Sequence, residues 1–189
     1  MAEFDGHIRQ VGHITNQLLD EFREKVSQIS ESSWRASNAK KPNQFDVFKD
    51  SVHHLVLQFP MNLEDHRVSG FTRHWRDWRD SMSTVLEAVS GYYQFPRPKT
   101  SRIMLARLFP GADIPLHIDG SEAARKPHKI HLPILTSEKV EFLFEDAEYH
   151  LEAGRMYEVN NRVPHGGRNA SDTDRVHLIF DYYDENGTP

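Results

Sequence analysis

From Arg102 to Tyr182 the chain reads as about eight short extended segments separated by turn residues, a pattern that restricts its fold more than any other feature. The segments are Arg102–Phe109, Ile114–Asp119, His128–Leu135, Val140–Glu145, Glu148–Glu152, Arg155–Asn160, Pro164–Asn169 and Asp174–Tyr182. Pro110-Gly111 closes the first, and Asp146-Ala147 predicts a tight hairpin between two of the others. Eight short antiparallel strands suit a double-sheet jelly roll, the architecture of cupin-like barrels. The 189 residues fit one domain spanning 1–189. Residues 1–100 would then be a helical and strand-bearing cap and support, and residues 101–183 the β-barrel core. The expected fold class is mostly β with N-terminal helices.

The upstream third carries a different period. Ile8, Val11, Ile14, Leu18, Phe22, Val26 and Ile29 recur at spacings of three and four, which predicts one amphipathic helix. Asp5 is its expected N-cap, and the Ser/Asn/Lys-rich stretch from Ser30 to Asn43 ends the periodicity. His53–Phe59 reads as a strand stopped by Pro60. A second helix is expected from Arg73 to Val89, with Trp75, Trp78, Met82 and Val85 on its apolar stripe and Gly91 ending it. Gln94–Ser101, with Pro96 and Pro98, reads as an extended connector.

Composition removes several classes of function. A net charge of −5 does not suit a general nucleic-acid binder. No apolar run approaches membrane-spanning length, and MAEFDGHIRQ lacks the basic and apolar blocks of a secretory signal, so a cytoplasmic location is expected. The sequons at Asn169 and Asn186 are then chance matches. There are no cysteines, which excludes disulfides, thiolate metal sites, iron–sulfur clusters and a cysteine nucleophile. Any metal must be held by nitrogen and oxygen ligands, so the twelve histidines are the residues to sort.

His117-Ile118-Asp119 is the first chemical signal. Residues two apart on a strand share a face, so both side chains could reach one ion. With a distant second histidine they would form the two-histidine, one-carboxylate triad of non-haem iron(II) oxygenases. Pro164-His165-Gly166-Gly167 supplies that histidine with small residues around it. A chance pair on a surface strand competes with this reading, because an HxD motif alone is weak. The second signal is Arg175-Val176-His177-Leu178-Ile179-Phe180, which places Arg175 and His177 on one face and the apolar residues Val176, Leu178 and Phe180 on the other. An arginine ten residues after His165 would sit on the neighbouring strand, its planar fork suited to a dicarboxylate. Lys129 and His131 repeat the device opposite Ile130 and Leu132, and Arg107 lies ten residues before His117. Buried together, these cations would call for an anionic ligand; turned outward, they would merely be solvated.

The stretch from Arg107 to Asp181 resembles the aspartyl/asparaginyl β-hydroxylase family of Fe(II)/2-oxoglutarate-dependent oxygenases, and within it the members that hydroxylate free proline. The shared frame runs through Arg107, Pro115–Asp119, Lys129–Leu132, Gly154–Val159, Pro164-His165, Arg175–Leu178 and Asp181. The resemblance implies a double-stranded β-helix barrel and the hydroxylation of an unactivated C–H bond, with succinate and carbon dioxide as co-products. It implies iron(II) on His117, Asp119 and His165, dioxygen as oxidant, and 2-oxoglutarate anchored at its C5 carboxylate by Arg175. Lys129, His131 and Arg107 match positions that face or help bind the co-substrate. Asp119 departs from the peptide-hydroxylating members, which lack an acidic ligand, toward the amino-acid hydroxylases. Asn160-Asn161 stand where an acidic residue is usual and receive no role.

The expected substrate is an amino acid, a peptidyl side chain or a similar small polar molecule. Two other readings stay open on the residues alone. One is a non-redox zinc or manganese enzyme on a cupin-like barrel, which needs no anion-binding arginine beside the metal. The other is a non-catalytic ligand-binding module. Of the remaining histidines, one of His53 and His54 could face inward, His128 is expected to point outward, and His7, His13, His66 and His150 are read as surface residues. Arg73, Arg76 and Arg79 could capture a substrate carboxylate, or could be the solvated face of a helix that buries Trp75 and Trp78.

Overall fold

A computed structural model describes residues 4–41 and 51–187. The chain begins with β1 (Ile8–His13), α1 (Asn16–Ser27), α2 (Glu31–Ala39), β2 (Val52–Pro60), β3 (Ser69–Phe71) and α3 (Trp75–Tyr93). It continues with β4 (Pro98–Leu108), β5 (Asp113–His117), α4 (Glu122–Arg125), β6 (His128–Leu135), β7 (Val140–Phe144) and β8 (Glu148–Tyr149). The last strands are β9 (Arg155–Val159), β10 (His165–Asn169) and β11 (Arg175–Asp184). They form a seven-stranded sheet, β1-β9-β6-β11-β4-β2-β3, and a four-stranded sheet, β5-β10-β7-β8. The jelly-roll order is there, but the two sheets are not joined into a closed barrel among the described residues. β1, β2 and β3, from the first hundred residues, widen the larger sheet instead of capping it.

The N-terminal helix expected from Ile8 to Ile29 is corrected. Ile8–His13 pairs antiparallel with β9, from Ile8 opposite Val159 to His13 opposite Arg155, with a bulge between Gln10 and Gly12. Ile8 packs with Phe142, Phe144 and Val159 on one face and Val11 joins the helix-facing core on the other, so apolar residues three apart, one on each covered face, imitate a helical period. A Cβ at Gly12 would meet the Met156 methyl at 2.7 Å, the far end of a flexible side chain that would have to move aside. The helix starts later. Thr15, not Asp5, caps α1, its hydroxyl accepting from the Leu18 amide at 3.2 Å. The Ser30-rich stretch is itself a helix, capped by Ser30 and anchored by the buried Trp34; one large apolar residue is too little for a periodicity to show. Asn43 lies outside the described residues. The second helix runs on past Gly91 to Tyr93 and ends at Gln94, whose φ of 50° is left-handed. Pro98 begins β4 instead of belonging to a connector.

Packing follows strand parity. Ile103 and Leu105 of β4, Ile130 and Leu132 of β6, and Val176, Leu178 and Phe180 of β11 point one way. They meet Leu18, Leu19, Phe22 and Val26 of α1 and Trp78, Met82, Val85 and Val89 of α3. Each such side chain contributes roughly 1.5–3 kcal/mol on full burial. The opposite face of the same strands, between the two sheets, is also buried but sets charged and polar side chains beside a small apolar cluster of Val52, Ala106, Leu108 and Ile179.

Candidate metal and anion site

His117 is the last residue of β5 and His165 the first of β10, and the two are cross-strand partners with ring centroids 4.5 Å apart. β10 can lie this close to β5 because residue 166 is glycine; a Cβ there would meet the Ile114 carbonyl oxygen at 2.4 Å. The two imidazoles are oriented alike. Each turns Nδ1 to a backbone carbonyl two residues earlier, His117 to Pro115 at 2.9 Å and His165 to Val163 at 3.0 Å. A carbonyl only accepts, so Nδ1 carries the proton and Nε2 presents its lone pair as the ligating atom.

Asp119 lies two residues beyond the end of β5, not on the strand as expected, so alternation does not explain why it converges with His117. Asn161 explains it. The Asp119 amide donates to the Asn161 carbonyl at 3.2 Å, and the Asn161 Nδ2 donates to Asp119 Oδ2 and to the Ala124 carbonyl, each at 2.8 Å. One ligand atom from each of His117, Asp119 and His165 then lies within 4.8 Å of the others. Burial would raise the Asp119 pKa, but the Lys129 ammonium at 3.5 Å, the Asn161 amide, His165 and Arg102 together hold it well below the usual carboxylate range. Burial pushes the His165 pKa down, against the opposing pull of Asp119. An ionised carboxylate and neutral imidazoles are the protonation states a divalent ion requires.

The facing wall is the polar side of the larger sheet. Lys129 and His131 of β6, Arg175 and Ile179 of β11, and Arg102, Met104 and Ala106 of β4 line one cavity with the three candidate ligands. Arg175 is 2% exposed, makes no ion pair among the described residues, and has no hydrogen-bond partner at Nε. Burial alone pulls its pKa to about 10. His131 and His177 face each other at 3.4 Å, and burial, with Arg175 nearby, keeps both neutral. Lys129 is shared between Asp181 at 2.6 Å and Asp119 at 3.5 Å. Of the seven residues singled out in the sequence, six therefore gather at this cavity.

Arg107 does not join them. Cavity-facing residues of β4 are Arg102, Met104 and Ala106, and Arg107 has the other parity. It pairs with Glu31 of α2, lies 3.6 Å from Asp174, and stacks over Trp34 and Phe109. Its role is to fasten α2 to the sheet.

Three site residues escaped the sequence reading. Arg102, 4% exposed, lines the cavity. Asp181 is fully buried between Lys129 and Arg102, and its two-residue steps from Arg175 and His177 were the signal that could have placed it. Asn161 acts from a loop, where no periodicity marks it. His54 is the inward member of its pair, while His53 faces Arg107 and Phe109. Two surface assignments are corrected: His66 is buried against Tyr183, and His128 is held at 2.6 Å by Glu158. Arg76 and Arg79 are exposed beside Asp77 and Asp80, as the solvated-face reading expects.

The donor set fits a hard divalent ion with coordination positions left for other ligands. Arg175 fits the carboxylate of an anion bound beside it. Residues 81–185, more than half the chain, match the model of a family described as aspartyl/asparaginyl beta-hydroxylase. No curated protein matches the sequence. Among solved structures, an oxidoreductase of the 2OG-Fe(II) oxygenase family from Burkholderia pseudomallei is similar with a TM-score of 0.58 at 12% identity, covering 91% of each chain. A prolyl-4-hydroxylase from Pseudomonas putida gives 0.54 at 13% identity, over 96% of this chain and 95% of that one. HygX from Streptomyces hygroscopicus, with nickel, 2-oxoglutarate and hygromycin B bound, gives 0.56 at 10% identity, over 96% and 83%. At these identities the structures show a shared fold.

Proposed function

The chain belongs to the aspartyl/asparaginyl β-hydroxylase family of 2-oxoglutarate-dependent oxygenases, and on that premise we propose that His117, Asp119 and His165 hold iron(II) while Arg175 anchors the far carboxylate of 2-oxoglutarate. When bound, iron and 2-oxoglutarate supply the oxidising power: dioxygen is consumed, succinate and carbon dioxide leave, and a substrate C–H bond becomes C–OH. The protein's part is positioning and the exclusion of water. The carbonyls of Pro115 and Val163 fix the histidine tautomers, and Asn161 fixes the carboxylate. Lys129, shared between two carboxylates, keeps Asp119 ionised, and neutral His131 offers a hydrogen bond to the co-substrate. The described residues act as one catalytic unit on an amino acid, a peptidyl side chain or another small polar molecule. No helix among them is long and apolar enough to cross a membrane.

The observation that carries this reading is a buried arginine without an acidic partner on the same cavity as an open-sided His–Asp–His cluster. The zinc or manganese reading gives that arginine no work to do. The test is anaerobic addition of iron(II) and then 2-oxoglutarate, followed by the visible spectrum. A weak charge-transfer band that needs both additions is expected. Arg175→Met should raise the half-saturating 2-oxoglutarate concentration by about two orders of magnitude, in line with loss of a charge-assisted bidentate contact. Arg107→Gln should leave it unchanged. Tight metal binding with no band would leave the zinc or manganese reading. Ligand binding that survives Asp119→Ala without metal would favour the non-catalytic module.

A further inference from the structure

We infer that Arg102 binds a carboxylate of the substrate and makes this enzyme selective for small anionic or zwitterionic substrates of amino-acid size. The inference rests on the iron and 2-oxoglutarate reading above and adds the group that recognises the third component.

Arg102 is 4% exposed, yet its Nε and Nη2 have no hydrogen-bond partner. The acid beside it is Asp181, whose Oδ2 stands 3.6 Å from Nε, too far for a hydrogen bond. Asp181 spends its other oxygen on Lys129 at 2.6 Å. The guanidinium lies over the Phe59 ring at 4.8 Å, and both residues line the cavity. Stacking fixes the plane of the fork and leaves its N–H edge for a ligand. Donors buried to this degree are costly unless something accepts from them.

Charge counting gives the sign of that ligand. Arg102, Lys129 and Arg175 face the space between the sheets with Asp119 and Asp181, three cations to two anions. Iron(II) and the 2-oxoglutarate dianion cancel each other, so the surplus of one positive charge survives loading. Lys41 adds a further amine at the same cavity, its pKa pulled down to about 8 by burial and by Arg102.

Register separates Arg102 from the arginine assigned to the co-substrate. In the β4–β11 pairing Arg175 lies opposite Leu108, and Arg102 lies opposite Asp181. From residue 108 to residue 102 is six steps, or about 20 Å of strand. The backbone of Arg102 is thus well separated along the strand from the register of Arg175, and we assign the two guanidiniums to different anions of the one cavity.

The test uses the whole protein with nickel(II) in place of iron(II), so that binding is read without turnover. With 2-oxoglutarate saturating, calorimetry compares each of the twenty proteinogenic amino acids with its primary amide. At least one amino acid should bind, and its amide should bind at least 30-fold more weakly. Arg102→Gln should shrink that ratio to below threefold while 2-oxoglutarate affinity stays within twofold. Arg102→Lys, which keeps the charge and loses the fork, should give an intermediate ratio and covers the case of a poorly folded glutamine variant. An amide that binds as well as its acid, or a panel in which no amino acid binds, overturns the proposal. So does a variant that weakens both forms equally. Failure of 2-oxoglutarate itself to bind in the presence of nickel would instead overturn the reading on which the proposal stands.

Discussion

The larger sheet has two faces, buried to the same degree and built from opposite chemistry. On β11 Val176, Leu178 and Phe180 vanish into the helices, while Arg175, His177 and Asp181, also buried, turn to the opposite face, between the sheets. The first face stabilises by removing carbon from water; the second brings together groups that each lose hydration. Low exposure alone therefore says nothing about which side of a strand holds the molecule up. The distinction lies in whether the polar atoms are satisfied. Arg107, buried among the helices, has Glu31 and Asp174; Arg175, buried at the cavity, has no acidic partner among the described residues.

Substitutions can break that contrast. The largest effect should come from His165→Ala, which removes a proposed metal ligand. Substrate-dependent succinate release should fall by at least about three orders of magnitude, and the metal-free protein should melt within a few degrees of wild type. A variant whose metal-free form no longer folds would mean that the polar face is structural after all. Phe180→Ala, two faces away in character and five residues from Arg175, should cost about 3–5 kcal/mol in denaturant unfolding. Its half-saturating 2-oxoglutarate concentration should not move. Asn161→Ala should come next, weakening metal affinity by about 10–100-fold through the freed Asp119 loop, as outer-shell partners of metal ligands do. Equal affinity in a metal titration would show that Asp119 needs no support from the loop.

The smallest effect is acid-linked and lies on the helix-covered face. Glu158 bonds His128 at 2.6 Å, Tyr93 at 2.7 Å and Arg9 at 2.6 Å. Burial raises its pKa, but these partners outweigh burial and leave it lowered from 4.5. A carboxylate with a depressed folded-state pKa lends stability above its unfolded pKa and loses it as pH falls toward the folded value. Glu158→Gln should be less stable than wild type at pH 7 by about 1–3 kcal/mol. Unfolding curves of the two should converge below about pH 4.5, the unfolded-state range. A gap that is constant with pH would assign the loss to packing.

These two faces also account for how much was legible in advance. β6 was read to the residue, and β11, β10, β9 and β7 to within a residue or two at each end, because alternation of charged with apolar side chains is the imprint of a strand with a core on one side. Ile8–His13 imitates a helix because the strand buries Ile8 on one face and Val11 on the other, and α2 leaves no period because it buries little besides Trp34. At the site, His117, His165, Arg175, Lys129 and His131 sit on strands and could be found by parity. Asp119 was found by its motif although the supposed reason, a shared strand face, does not hold. Asn161 lies on a loop and Arg102 at the polar start of a long strand after Thr100 and Ser101, where no pattern separates them from their neighbours.

The alternation along β4 has a bearing on how such an enzyme can change. Met104 and Ala106 touch the cavity; Ile103 and Leu105, between them, touch the helices. Neighbouring codons thus answer to separate demands, one to what is bound and the next to whether the chain folds. A lineage, or a mutant library restricted to the even positions, can explore new substrates while the scaffold beneath stays fixed.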